Sequence, residues 1–447
     1  MIDRVGFNLK GKTEDETVSF AFSFVKRMAS RTRYAGTEGE KETCEDLFNE
    51  FEGLGCDVEK DETEYIKKEN YLIGITLLVY WVFGIFIAVS WSVHPLTVAI
   101  PTGIFFLFTQ KALPSLELRL ARTKSMNIVA SMNPEKEHRL ILCGHYDSSR
   151  VSGKFVQKHH KALMQLTPVM TLFYYIFVII LYVKGIYELV IDGFAPNTLI
   201  GLVPRMVGPW MIYWSVYLTA YCATMLAMIM MGYSTKKLSY GADDNASGIA
   251  VMLETARRLS NSRLDLRVDF ACFAAEERGL FGSRKWVNKH IKEIGRDRTF
   301  VLNIDCVGRG DKFFVTKGLG SFFKKRSDPV LFSIITNVLN KLELPFEECW
   351  GGSSDHKEFL EKKFRTCAIE RCSVEKANAA TVILQKMFRI PIKNRVVPYM
   401  DWIHTEKDTI EGIDEKKLEE TVSVVCDFID TLNSSIGSNT LMNPSIC

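Results

Sequence analysis

The sequence predicts an α/β protein in which a mixed β-sheet is flanked by helices and four transmembrane helices are inserted as two hairpins. Two observations predict this fold class. Strand-like apolar segments alternate with helical segments in the polar parts of the chain, and three long runs within the 447 residues contain no Asp, Glu, Lys or Arg. A sheet built from such alternating units is covered by helices on both faces.

The elements of the sheet follow one another along the polar parts of the chain. An amphipathic helix is predicted over "EGEKETCEDLFNEFEGLG" and ends at Gly55. Strands are predicted at "NIVASM" and "RLILCGHYD", a helix at "GIAVMLETARRLS", strands at "RVDFACFAAEE" and "FVLNID", and a closing helix at "EKKLEETVSVVCDFIDTL". Short apolar runs bounded by polar residues indicate buried strands, whereas the helical segments keep a charged face.

The charge-free runs are long enough to cross a membrane. They cover Tyr71–Gln110, Ala162–Val183 and Met206–Thr235. A bilayer core needs roughly 20 apolar residues in a helix, and buried helices of a large soluble core rarely lack a charged face over such a length. The first run has room for two crossings turned at "SVHP", so the sequence predicts one transmembrane hairpin over 71–110 and a second over 159–233.

Basic residues lie mainly on one side of the predicted hairpins. Only Lys184 and Arg205 lie in the segment that joins the third and fourth spans, and the first hairpin turn has no basic residue. The positive-inside tendency therefore predicts an integral multi-pass membrane protein whose catalytic domain is cytoplasmic. That domain would be discontinuous, formed by residues 1–70, 111–158 and 234–447, and the lipid bilayer would be a partner.

Composition restricts the other partners and the compartment. The net charge is +3 and no basic stripe is interleaved with aromatic residues, so we expect no nucleic acid partner. Eleven cysteines, an odd number without regular spacing, favour reduced thiols in a cytosolic setting over a disulfide framework. The first twenty residues lack the apolar core of a signal peptide. The sequence leaves the oligomeric state open.

Polar side chains stand where the predicted strands end. In chain order they are His145, Asp147, Glu276, Glu277 and Asp305. Two loop motifs, "YGADDNASG" and "DWIHTEKDT", add Asp243, Asp244 and His404. Sites in open α/β sheets form beyond the carboxyl ends of the strands, and imidazole and carboxylate groups are ligands that zinc accepts. Taken together, these residues predict a metal site.

Six motifs carry a resemblance to a known family. They are "GHYDS", "GADDNASGIA", "AAEERGLFGS", "LNID", "SSDH" and "HTEKDT". In this order they resemble the dizinc metallopeptidases of the bacterial leucyl aminopeptidase, aminopeptidase Y and glutamate carboxypeptidase type, over about residues 111–150 and 240–430. The resemblance implies a zinc aminopeptidase-like α/β/α sandwich, here in a multi-span membrane-anchored version.

The resemblance also implies a set of metal ligands for two zinc ions, although other divalent metals would fit the same groups. Asp243 would bridge the two ions, with an unusual cis peptide between Asp243 and Asp244. His145 and Asp305 would complete one metal site, and Glu277 with His404 would complete the other. Each ion then has three protein groups and keeps a position for water or substrate.

Further residues have roles implied by the same resemblance. Glu276 would be the general base, which takes a proton from a metal-activated water and passes it to the leaving amine. Asp147 would accept the far ring N–H of His145 and fix its tautomer. Asp355 and His356 in "SSDH" would line the substrate site without binding metal.

Three functions remain open on this sequence. The first is a membrane-anchored aminopeptidase that acts on N-terminal peptide bonds of peptide substrates. The second is a carboxypeptidase or amidohydrolase with the same metal centre, because the metals determine hydrolysis and the pocket determines which end is held. The third is a non-enzymatic membrane receptor with a hydrolase-like domain, which is disfavoured because no ligand or base is missing. Glutaminyl cyclase relatives, which work with a single zinc, are disfavoured by the full ligand set.

Overall fold

The structure is a computed structural model that describes residues 19–66, 113–154, 235–319, 325–350, 353–379 and 396–437, together with residues 157, 158, 176, 183, 382, 383 and 386. The strands are β1 (Asp57–Tyr65), β2 (Thr123–Met132), β3 (Arg139–His145), β4 (Arg267–Phe273), β5 (Thr299–Ile304), β6 (Lys312–Thr316), β7 (Gly318–Leu319), β8 (Lys325–Arg326), β9 (Phe346–Cys349), β10 (Arg365–Lys376) and β11 (Val396–Tyr399). The α-helices are α1 (Phe20–Met28), α2 (Glu38–Gly53), α3 (Leu113–Leu120), α4 (Gly248–Leu259), α5 (Phe281–His290), α6 (Pro329–Lys341), α7 (His356–Glu361) and α8 (Glu415–Gly437).

One mixed sheet organises the described residues. Its strand order is β1-β2-β4-β3-β5-β10-β6-β9, and β11 pairs with β10. The central strands β4, β3, β5 and β10 are parallel, whereas β1, β2 and β6 pair antiparallel with their neighbours toward the centre. The central strands are buried on both faces, which explains why β3 and β5 have nearly continuous apolar sequences.

Helices cover both faces of the sheet. On one face α1, α2, α4, α6 and α8 contribute to a large apolar core that includes Phe51, Leu253 and Phe428. On the other face α5 and α7 contribute Trp286 and Phe359 to a smaller core against β3 and β4. Capping side chains define where helices begin: Thr37 accepts the N–H of Glu40, and Asp328 accepts two N–H groups at the start of α6.

The three polar segments of the sequence contribute to this one sheet. The strand β1 lies in 1–70, β2 and β3 lie in 111–158, and the remaining strands lie in 234–447. The register joins them directly, since Asp57 pairs with Ser131 and Ile128 pairs with Cys272. The boundaries of the predicted discontinuous domain stay a prediction.

The predicted transmembrane helices require a correction. Among the residues that the structure describes, no helix combines the length and the apolar character needed to cross a bilayer. The longest of them, α8, has 23 residues but carries charged side chains on one face and packs the other against the core. The predicted hairpins over 71–110 and 159–233 lie outside the described residues, apart from residues 176 and 183. The fold class with four transmembrane helices and the assignment as an integral membrane protein are therefore not upheld.

Candidate metal centre

The carboxyl ends of three adjacent parallel strands carry the candidate site. His145 is the last residue of β3, Asp305 directly follows β5, and Glu276 follows β4 after a short extension. Because β4, β3 and β5 are neighbours in the sheet, these side chains meet at one edge, as expected for an open α/β sheet.

A first cluster of possible ligands contains His145, Asp244 and Asp305. The Nε2 atom of His145 lies 3.2 Å from Oδ1 of Asp244 and 3.7 Å from Oδ1 of Asp305. The side chain of His145 is 1% exposed, so these groups meet away from bulk water. One imidazole and two carboxylates in this arrangement can hold a divalent cation.

A second cluster contains Asp244, Glu277 and His404. The Nε2 atom of His404 lies 3.2 Å from Oδ2 of Asp244 and 3.1 Å from Oε2 of Glu277. Asp244 therefore presents one carboxylate oxygen to each cluster, Oδ1 toward His145 and Oδ2 toward His404. A carboxylate shared in this way is suited to bridging two cations.

The structure corrects the predicted bridging residue. Asp244 occupies the shared position, not Asp243, and the cis peptide joins Asp244 to Asn245. The carboxylate of Asp243 is occupied elsewhere, because it accepts the N–H of Gly308 and the indole N–H of Trp402, each at 2.7 Å. Asp243 therefore supports the turn and belongs to neither candidate ligand cluster.

Asn245 ties the turn that carries Asp244 to the end of β5. Its amide nitrogen donates to the carbonyl of Ile304 at 3.0 Å, and its amide oxygen accepts the N–H groups of Gly248 and Cys306. Gly144, just before His145, permits this approach, because a Cβ there would lie 2.7 Å from the carbonyl oxygen of Ile304. The turn is thus held against two strand ends at once.

Asp408 is a functional residue that the sequence analysis missed. Its carboxylate accepts the backbone N–H of Asp243 at 2.7 Å and that of Asp244 at 3.2 Å. The residue lies in the "HTEKDT" motif, four positions after His404. Its place as an acid at a fixed distance from a predicted ligand is the feature of the sequence that could have indicated it. Asp408 orients the backbone that presents the bridging carboxylate.

Asp147 holds the adjacent pair Glu276 and Glu277. Its two carboxylate oxygens accept the backbone N–H groups of Glu276 at 3.0 Å and Glu277 at 3.2 Å. The far ring nitrogen of His145 was predicted to contact the carboxylate of Asp147, but its shorter contact is with the backbone of that residue. Nδ1 lies 3.1 Å from the backbone carbonyl oxygen of Asp147 and 3.6 Å from its carboxylate. Asp147 therefore positions the acidic pair as well as the imidazole.

Three residues in or beside the site have an uncommon backbone conformation. Ala275, Cys306 and His404 have positive φ angles of 53°, 50° and 54°. Such angles are uncommon for residues with a Cβ and persist where surrounding contacts impose them. Ala275 precedes Glu276 and Cys306 follows Asp305, so each of the three lies within or beside the ligand set.

Asp355 and His356 occupy different positions relative to the site. His356 lines the cavity in front of the ligands. Asp355 is fully buried, and burial raises its pKa to about 7 while the charge of His145 opposes that shift. His356 is thus a wall residue of the described cavity, whereas Asp355 lies behind the wall.

The buried acidic side chains of the site favour the presence of cations. Burial raises the pKa of Glu276 well above its ordinary range, and the nearby Glu277 raises it further. Burial also raises the pKa of Glu277 to about 6, with His404 opposing and Asp244 adding to the shift. Burial disfavours the charge of His145, but the carboxylates around it, Glu276 first, outweigh this effect and raise its pKa. Acids that are buried together in this way are stabilised when positive charge lies between them.

The ligand clusters open into a cavity of about 590 Å³. Its wall includes Leu280 and Phe281 from the turn after the acidic pair, Ile369 and Glu370 from β10, and Met400 near His404. A cleft of this volume with apolar walls and a few polar groups is typical of a small-ligand or peptide site.

Comparisons with known proteins find similarity in sequence and in fold. Aminopeptidase YwaD of Bacillus subtilis is 30% identical over 200 residues, which are 43% of this chain and 38% of that protein. A zinc-dependent exopeptidase from Parabacteroides distasonis has a TM-score of 0.52 at 15% identity, covering 93% of this chain and 98% of that chain. A glutaminyl cyclase from Porphyromonas gingivalis has a TM-score of 0.52 at 16% identity, with the same coverage. The two solved structures show the fold alone.

The chain is similar in sequence to peptidases, and the candidate site brings together groups that can hold metal. Residues 226–429 match the model of peptidase family M28. The chain spans less than half the length of the curated relatives that it matches.

Proposed function

We propose that the chain is an aminopeptidase that holds two zinc ions and hydrolyses the N-terminal peptide bond of peptides. The observation that carries this proposal is the shared carboxylate of Asp244, whose two oxygens face His145 and His404 at 3.2 Å each. Each cluster supplies three protein groups, which leaves coordination positions for water and substrate. The similarity to a protein named as an aminopeptidase supports the choice of reaction.

The ions would supply the electrophilic part of the chemistry, polarising the peptide carbonyl and lowering the pKa of water. The chain supplies the proton transfers. Oε2 of Glu276 lies 4.0 Å from Nε2 of His145, and Glu276 belongs to neither ligand cluster. Its carboxylate is therefore available to take a proton from the attacking water and to give it to the leaving amine.

The hydrogen bonds that hold the backbone of Glu276 suit its role as the general base. Asp147 fixes the backbone of Glu276 through its N–H, and the carbonyl of Glu276 accepts N–H groups of Gly279 at 2.7 Å and Leu280 at 2.8 Å.

A carboxypeptidase or amidohydrolase is the second candidate, because Lys357 lines the cavity and a lysine can bind a substrate carboxylate. The two arginines of the wall are engaged: Arg284 pairs with Glu117 and Glu358, and the Arg278 guanidinium lies over the ring of Tyr34 at 4.1 Å. A single-zinc cyclase is less consistent with two overlapping ligand clusters, and a decayed receptor domain is less consistent with a complete set.

The first experiment separates the two adjacent glutamates. We expect Glu276→Gln to retain both zinc ions and to lose about a hundredfold to ten-thousandfold in kcat, the usual contribution of a general base. The matched variant Glu277→Gln removes a ligand, so it is expected to lose zinc as well as turnover. Zinc is measured by elemental analysis of purified protein, and turnover with leucyl peptides. Undiminished turnover by Glu276→Gln would overturn the assignment of the base.

The second experiment identifies the end of the substrate that is held. Peptides with a free amino terminus and an amidated carboxyl terminus are expected to be cleaved, and N-acetylated peptides with a free carboxyl terminus are expected to be resistant. The opposite pattern would favour the carboxypeptidase.

A further inference from the structure

One acid of the cavity wall is not used by the reaction described above. Glu370 lies on β10, partly exposed, and its side chain lines the cavity. The pairing of Ile369 with Ile304 in parallel β10 and β5, continued by the bond from the N–H of Asp305 to the carbonyl of Ile369, places Glu370 beside Asp305. Side chains at equivalent positions of adjacent strands point to the same face, so Glu370 faces the cavity next to a metal ligand.

The described surroundings of Glu370 supply no positive charge. On one side its neighbour is Asp305, and on the other it lies opposite Phe314 in the antiparallel pair of β10 and β6. No cation among the described residues acts on its carboxylate. Lys357, Arg278 and Arg284 share the wall of the cavity, but none of them pairs with Glu370.

We propose that Glu370 selects peptides whose first residue has a positively charged side chain, lysine or arginine. This inference rests on the proposed aminopeptidase function. A carboxylate that no described cation pairs with gains a charge-assisted hydrogen bond when the substrate brings a cation. The apolar side chains of Met400 and Ile403 in the same cavity wall suit the aliphatic stem of a lysine or arginine side chain.

The position of Glu370 in the sheet favours its contact with the side chain of the substrate's first residue over contact with the α-amine. The α-amine is two bonds from the attacked carbonyl carbon, so it must lie close to the metal centre, where Glu276 and Asp305 already offer acidic oxygens. Glu370 lies one strand further from His145, and adjacent strands are about 4.8 Å apart. That extra distance corresponds to the reach of a long side chain.

The test compares lysine with norleucine, which has a similar aliphatic chain without the ammonium group. With 4-nitroanilides of both amino acids, we expect the wild type to have a higher kcat/KM for lysine. Glu370→Gln, which keeps the shape and removes the charge, is expected to lower kcat/KM for lysine by about tenfold to a hundredfold and to change that for norleucine by less than about twofold. Glu370→Asp keeps the charge and should retain part of the preference.

Glu375→Gln is the matched control, because Glu375 lies on the same strand outside the described cavity lining. It should keep the wild-type preference, and thermal melting and zinc content show that each variant is folded and loaded. Equal losses on lysine and norleucine in Glu370→Gln would assign Glu370 to the α-amine and overturn the proposal. Turnover of norleucine without preference for lysine in the wild type would overturn it while leaving the aminopeptidase intact, and turnover of neither substrate would overturn both.

Discussion

Glu40 of α2 is buried in a place where its negative charge is costly. The residue is 3% exposed, accepts the N–H of Gly36 at 2.6 Å and accepts the hydroxyl of Ser125. Burial raises its pKa from 4.5 to about 7, and these hydrogen bonds oppose only part of the shift. Because the folded state binds this proton more tightly than the unfolded chain, the proton stabilises the fold below pH 4.5, and the contribution is lost as the pH rises through 7.

We predict that Glu40→Gln removes this dependence. Between about pH 4.5 and pH 8.5, the free energy of unfolding of the variant should rise relative to the wild type by about 3 kcal/mol, the free-energy equivalent of the pKa shift. Urea unfolding at both pH values measures the difference. Glu38→Gln, an exposed acid in the first turn of the same helix, should leave the wild-type dependence in place. The same change in the free energy of unfolding with pH for Glu40→Gln and the wild type would contradict the prediction.

Asp243 and Asp244 show where residue-level prediction from sequence ends. The motif "GADDN" predicts that an acid of this turn is a metal ligand, and in the structure Asp244 belongs to both candidate ligand clusters. Both acids have the same chemistry, so the choice between them depends on which carboxylate the backbone turns toward His145 and His404. The bonds from Gly308 and Trp402 that occupy Asp243 come from distant parts of the chain, and a local motif does not contain them.

At the scale of elements, Arg33 holds together the loops that carry the ligands. Its side chain is fully buried and donates to four backbone carbonyl groups. They belong to Met28 at 3.0 Å, Tyr146 at 2.8 Å, Tyr240 at 2.7 Å and Gly241 at 2.8 Å. Tyr146 follows the ligand His145, and Gly241 precedes the turn that presents Asp244. One guanidinium therefore fixes the distance between two ligand-bearing segments.

We predict that Arg33→Lys weakens both the fold and the metal centre. An ammonium group cannot reach all four carbonyl groups in the planar geometry of a guanidinium, and buried acceptors without donors are costly. The free energy of unfolding should fall by about 2 to 4 kcal/mol, and a chelator should remove zinc at lower concentration. Arg31→Lys is the control, since Arg31 forms a surface pair with Glu42 at 2.9 Å and should cost less than about 1 kcal/mol. Equal effects of the two variants would contradict the role of Arg33.

At the scale of the whole molecule, the sheet brings distant parts of the sequence to one edge. His145 and Asp244 are separated by 98 residues, yet their atoms lie 3.2 Å apart. The strands that bear the ligands could be predicted because strands buried on both faces have continuous apolar sequences that end in polar residues. The short strands β6, β9 and β11 and the support from Arg33 and Asp408 could not, because they depend on tertiary contacts.

The charge-free runs show a limit of predicting the whole molecule from its sequence. Hydropathy measures what a segment could bury, and it predicted four spans over 71–110 and 159–233. Those hairpins lie outside the described residues, and no described helix is able to cross a bilayer. The two candidate ligand clusters found among the described residues contain no residue of these hairpins.

The proposed function requires Asp244 to join two metal sites, and the number of zinc ions bound per chain is the decisive quantity. Metal-free protein is titrated with zinc, and the bound ions per chain are counted for the wild type, Asp244→Asn and Asp243→Asn. We predict two ions for the wild type and for Asp243→Asn, and fewer for Asp244→Asn because both clusters lose a ligand. One ion in the wild type, or two in Asp244→Asn with fewer in Asp243→Asn, would contradict the account.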